Sequence, residues 1–92
     1  MLITITQEDI DNGIPNEADS CPVARAIRRA TGQPVRVGDC TIVINREFIY
    51  QPPTVRQFVY DFDDGAYTVN PFSFELDYEL PGNYTFDLPC TD

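Results

Sequence analysis

Val55, Phe58, Val59 and Phe62 stand at i, i+3, i+4 and i+7, and beyond Gly65 the pattern changes to strict alternation. Phe72, Phe74, Leu76, Tyr78 and Leu80 fall on one side, and Ser73, Glu75, Asp77 and Glu79 on the other. The first spacing gives a helix one apolar face; the second gives a strand one apolar face. A chain of 92 residues that carries both patterns side by side is expected to pack helix against sheet.

Shorter signals fill in the rest. Leu2–Ile5 reads as a strand. Thr6 reads as an N-cap with Asp9 three residues on, opening a short helix over Gln7–Asn12 that Gly13 stops. Ile14–Asp19 is a polar loop. Ser20 or Cys21 caps a second helix, with Pro22 in its first turn and Gly32 at its end. Val23, Ile27 and Ala30 form its apolar stripe. Val35–Val37, Thr41–Ile44 and Glu47–Tyr50 read as antiparallel strands joined at Gly38-Asp39 and Asn45-Arg46. Pro52-Pro53 starts the helix that carries the Val55–Phe62 stripe, and Gly65 ends it. The expected fold class is α+β: one small antiparallel or mixed sheet packed on one face by two helices, in a single domain over 1–92.

The C-terminal hairpin has a readable register. A two-residue turn would put the apolar sets on opposite faces. A three-residue loop over Pro81–Asn83 instead pairs Leu80 with Tyr84, Tyr78 with Phe86 and Leu76 with Leu88. It also sets Asp77 against Asp87, a like-charge pair.

Charge narrows the function classes. The chain holds 15 acids, six arginines, no lysine and no histidine, for a net charge of −9. Long nucleic acids are not expected partners, because their binding needs clustered cations. Without histidine there is no Ser-His-Asp or Cys-His arrangement, and no enzyme is expected. Residues 1–46 carry six acids and five arginines, while 47–92 carry nine acids and one arginine. Cys21, Cys40 and Cys90 lack the spacing of a zinc site, and reduced thiols are expected; a Cys40–Cys90 bridge stays open. Asp61-Phe62-Asp63-Asp64-Gly65 departs from a calcium loop, with Phe72 where the closing glutamate would stand. No metal or cofactor is expected. Met1–Gly13 lacks the basic and apolar regions of a signal peptide, and no run reaches membrane-spanning length.

Two surfaces remain as candidate sites. One is the N-terminus of the second helix, Ser20, Cys21 and Pro22, with Arg25, Arg28 and Arg29. Helix N–H groups and arginine forks suit a phosphate there, and Tyr50 or Tyr60 would stack on a base. The bland alternative pairs those arginines with Glu17 and Asp19. The other candidate is acidic: Asp61, Asp63 and Asp64 at a helix C-terminus, with Glu75, Asp77, Glu79 and Asp87 on the C-terminal strands. Carboxylates in a row fit a basic groove on another protein.

The order of motifs adds a resemblance. Ile5-Thr6-Gln7-Glu8-Asp9-Ile10 with Gly13 is followed by Ser20-Cys21-Pro22-Val23-Ala24-Arg25-Ala26-Ile27. Val35, Val37 and Gly38 come next, then Pro53, Val55, Phe58, Phe62, Asp63 and Gly65, and finally Pro71-Phe72 and Phe74. Over residues 1–76 this resembles a family of small uncharacterised proteins of bacteriophages and related bacterial genomes; 77–92 is a C-terminal extension. The resemblance brings no catalytic residues with it. It implies a phage accessory protein in the host cytoplasm, antagonising host defence. Two roles follow as expectations: an oligomer sequestering a small phosphorylated, cyclic-nucleotide-like signal, or an acidic inhibitor or nucleic-acid mimic bound to a basic host protein. A virion structural role is the third.

Overall fold

The computed structural model describes residues 1–65 and 68–78. In chain order the elements are β1 (Leu2–Ile5), α1 (Gln7–Asn12), α2 (Pro22–Thr31), β2 (Val35–Val37), β3 (Thr41–Ile44), β4 (Glu47–Tyr50), α3 (Pro53–Asp64) and β5 (Phe72–Glu75). The α+β class holds. The expected single sheet does not: β1 pairs antiparallel with β5, and β2-β3-β4 form a separate antiparallel sheet.

Two strand edges are occupied locally, which keeps the sheets apart. Val37 N–H donates to Ala18 C=O at 2.8 Å, and Thr4 C=O accepts from Arg29 Nη2 at 3.0 Å. What joins the sheets is a shared core. Ile3 and Ile5 of β1, Val23 and Ile27 of α2, Ile42 and Ile44 of β3, Val55 of α3 and Phe74 of β5 lie in one buried cluster. Each buried isoleucine contributes about 1.5–3 kcal/mol, so apolar packing supplies what inter-sheet hydrogen bonds do not.

The helices follow their local signals, with two departures. Thr6 and Asp9 form a reciprocal capping box on α1, and Cys21 rather than Ser20 caps α2. The α2 stripe runs through Val23, Ala24, Ile27 and Thr31, leaving Ala30 exposed. Thr31 is tolerated inside because its hydroxyl donates to Ile27 C=O at 2.8 Å. Gly13 ends α1 for a steric reason rather than a dihedral one. Its φ is −71°, but a Cβ there would lie 2.6 Å from Pro22 Cδ. In α3, Val55 and Phe58 are buried while Val59 and Phe62 are half-buried against the core. Phe58 meets Phe72 at 5.1 Å between ring centroids. On the C-terminal side Leu76 and Tyr78 keep the inward alternation past the end of β5. The expected hairpin loop over Pro81–Asn83, and the Asp77–Asp87 pair, lie outside the described residues.

Asp9 is the only fully buried carboxylate among the described residues. It receives Arg29 Nη1 at 2.6 Å and Nη2 at 2.9 Å, with Arg25 Nε 3.6 Å away. Burial pushes its carboxyl up, but the Arg29 guanidinium and the Thr6 N–H outweigh that and hold it below the ordinary value. The stabilisation is therefore complete above about pH 4 and is lost as pH falls through the depressed folded value. Arg29→Met removes the nearer of the two cations beside a buried carboxylate and leaves Arg25 at 3.6 Å. Because the guanidinium is half exposed, it should cost about 1–2 kcal/mol in urea unfolding, with Asp9→Asn/Arg29→Met costing less than the sum of the single changes.

The β3–β4 turn carries a second, smaller cost. Asn45 and Arg46 both have positive φ, 48° and 75°, as the tight hairpin turn requires. Arg46→Gly should therefore stabilise the protein by about 1 kcal/mol, visible as a rise of several degrees in Tm.

Candidate functional site

A groove opens where the loop before α2, the β2–β3 turn and α3 meet. Each wall is pinned by the chain. Asn16, at φ 63°, donates its N–H to Asp63 Oδ1 at 2.9 Å. Ser20 N–H donates to Glu17 C=O, and Ile14 N–H to Ser20 C=O, closing the loop on itself. Gln51 is buried and donates to Gly38 C=O at 2.6 Å and Thr41 C=O at 3.0 Å. That fixes the turn bearing Asp39. Three adjoining hollows of about 510, 380 and 210 Å³ share Asp39 as a common wall. Their rims carry Glu17, Asp39, Asp63 and Asp64 against one cation, Arg56, with Tyr60 63% exposed beside them. Among the described residues no ion pair engages any of these carboxylates.

The groove also explains two oddities of the sequence. Three aspartates crowd the C-terminus of α3, with no base in its last turn, where the helix dipole disfavours anions. Asp63 lines the same hollow as Cys21, the N-cap of α2, which places its carboxylate near the positive end of a second helix. At Cys21 burial pushes the thiol up; the Ala24 and Val23 amides act against that, and the Asp63 charge adds to it. A reactive, low-pKa thiolate is not what this N-terminus makes.

The phosphate-site residues do not come together. Pro22, Val23 and Ala24 are buried, and the anion facing the α2 N-terminus is Asp63. Ser20 is half-buried, with its Oγ 3.3 Å from Asp19 Oδ1. Arg25, Arg28 and Arg29 line a separate hollow of about 250 Å³. Arg29 is committed to Asp9 and Thr4, and Arg28 donates to Asp19 C=O at 2.8 Å. Tyr50 lies on β4, 83% exposed, and lines none of these hollows; Tyr60 belongs to the acidic groove.

The acidic candidates divide. Asp63 and Asp64 rim the groove. Asp61 lines a different hollow beside Phe58 and Phe72 and accepts from Gln57 Nε2 at 2.9 Å. Glu75 sits 3.4 Å from the N-terminal ammonium, and Asp77 is exposed. Glu79 and Asp87 lie outside the described residues, as does Cys90. Glu17, Asp39, Asn16 and Arg56 were not singled out as groove residues by sequence. They come from three separated stretches of chain; sequence marked Asp39 only as part of a turn and Glu17 only as a partner for the α2 arginines.

No group of three or more His, Cys, Asp or Glu among the described residues is arranged to hold a metal ion. No described helix is long and apolar enough to cross a membrane. No family model, no curated protein and no solved structure matches this chain.

Thiol chemistry gives a direct check on the groove floor. Cys40 is exposed and Cys21 buried. Under reducing conditions iodoacetamide should modify Cys40 in the native protein and reach Cys21 only after unfolding, as read by peptide mass spectrometry. Native labelling of Cys21 at a comparable rate would mean the groove floor is open.

Proposed function

We propose that this chain is a non-enzymatic accessory binding protein whose acidic groove takes a cationic segment of a partner protein. The observation that carries the reading is the convergence of Glu17, Asp39, Asp63 and Asp64, from three separated stretches of chain, on one concave surface. A concave surface with four acids against one cation carries an excess of one sign, which attracts a partner of the other. Tyr60 adds an aromatic face on which a guanidinium stacks, so arginine suits the groove better than lysine. In the phage setting implied by the resemblance, the partner is a basic host defence effector, and the groove occupies the surface that effector uses for nucleic acid.

The sequestration of a phosphorylated signal draws less support. It relies on Arg25, Arg28 and Arg29 acting with the α2 N-terminus. Arg29 already serves Asp9, and the N-terminus already faces Asp63.

Calorimetry with an arginine-rich decapeptide, and with its citrulline counterpart as the neutral control, tests the reading. The charged peptide should bind, and raising salt from about 50 to about 200 mM should weaken it several-fold. Asp39→Asn/Asp64→Asn should weaken binding at least about tenfold, while Glu75→Gln/Asp77→Asn, with the same change in net charge, should leave it unchanged. Equal effects of the two pairs would mean that only net charge matters and would reject the groove.

A further inference from the structure

β4 is an edge strand with nothing described along its outer side. Its register with β3 pairs Glu47 with Ile44, Phe48 with Val43, Ile49 with Ile42 and Tyr50 with Thr41. Gln51 N–H donates to Cys40 C=O at 2.9 Å. In an antiparallel ladder hydrogen-bonded and non-bonded pairs alternate. Glu47, Ile49 and Gln51 therefore turn their backbone groups toward β3, and Phe48 and Tyr50 turn theirs away. The same two residues are the most exposed large hydrophobics described, 74% for Phe48 and 83% for Tyr50. By contrast β2 donates outward to Ala18 C=O, and β1 is met by Arg29. Edges left open in this way are normally blunted by charge, proline or cover, and among the described residues the span from Phe48 to Tyr50 has none of these.

We infer that β4 pairs antiparallel with β4 of a second copy of this chain, about a two-fold axis at Ile49. The edge is self-complementary in that one register. Phe48 of each copy faces Tyr50 of the other, and all four free N–H and C=O groups of each strand find partners. Each Phe48 ring lies across from a Tyr50 ring on the solvent face, a favourable cross-strand pair. Glu47 faces Gln51, so no like charges meet. Sliding the strands by two residues sets Tyr50 against Arg46, which sits in the turn at φ 75°. Sliding the other way sets Phe48 against Pro52, which has no N–H to give. The aromatic side chains and the edge backbone offer roughly 400 Å² per copy, about half of the ~800 Å² per partner of a stable complex. Contact of this extent makes a weak, reversible dimer rather than a permanent one.

Sedimentation equilibrium on the full chain from about 10 µM to about 1 mM, the range in which a weak reversible dimer forms, tests this. The mass should rise from 10.4 kDa toward twice that value, and the Phe48 and Tyr50 amides should gain protection from hydrogen exchange as concentration rises. Tyr50→Pro removes an outward N–H without touching the β3 ladder, and Phe48→Lys brings like charges close across the axis. Each should weaken association at least about tenfold, since each breaks a paired feature twice per dimer. A monomer throughout the range overturns the inference. So does a dimer that both substitutions leave intact, because a different surface would then be holding it. Amides at Phe48 and Tyr50 that are already protected in the dilute monomer would overturn it too, since another segment of the same chain would be covering the edge.

Discussion

The ion pair between Asp9 and Arg29 is the point on which the rest of the structure turns. It joins three elements. Asp9 belongs to α1 and closes the capping box with Thr6; Arg29 belongs to α2; and the same guanidinium reaches Thr4 C=O on β1. Placing a carboxylate in the interior is costly, and only a well-formed fork of donors offsets the lost hydration. Here the fork is complete and the Thr6 backbone adds to it. The arrangement fixes α2 across both sheets, and with it the loop that leads into α2 and forms one wall of the groove.

That pairing decides which face of the protein is open to partners. Arg29 is bound to Asp9 and Arg25 lies near the same acid, so much of the charge on the arginine face is already paired within the protein. Four of the described acids without ion pairs, Glu17, Asp39, Asp63 and Asp64, gather around one groove. Asp63 shows how the two roles combine. It holds the Asn16 backbone and faces the N-terminus of α2, while also giving the groove part of its charge. Asp64 and Asp39 hold no described hydrogen bond, so the proposed attraction for a cationic segment is assigned to them and to Glu17.

Local order was largely legible in the sequence because local rules set it. The Val55–Phe62 spacing, the Thr6–Asp9 box, Pro22 after its cap and the Asn45-Arg46 turn each depend on residues a few positions apart, and each appears as read. What could not be read is what depends on distance. Arg29 finds Asp9, 20 residues away, rather than the nearer Glu17 or Asp19, because the crossing of α1 and α2 brings them together. The split into two sheets, with Ala18 and Arg29 meeting the edges of β2 and β1, is long-range pairing that no periodicity announces. Gly13 was read as a helix stop, but its missing Cβ makes room for Pro22. The groove escaped for the same reason. Glu17, Asp39 and Asp64 look like ordinary surface acids until the fold sets them around one hollow.

The most direct test of the account is where a cationic peptide touches the chain. In a titration of isotope-labelled protein with an arginine-rich peptide, followed by amide chemical shifts, the largest changes should fall at Asn16, Glu17, Asp39, Val59, Tyr60 and Asp64, with Arg25, Arg28 and Arg29 little affected. Shifts centred on Glu75 and Asp77, or spread evenly over every acid, would contradict the groove as the binding surface.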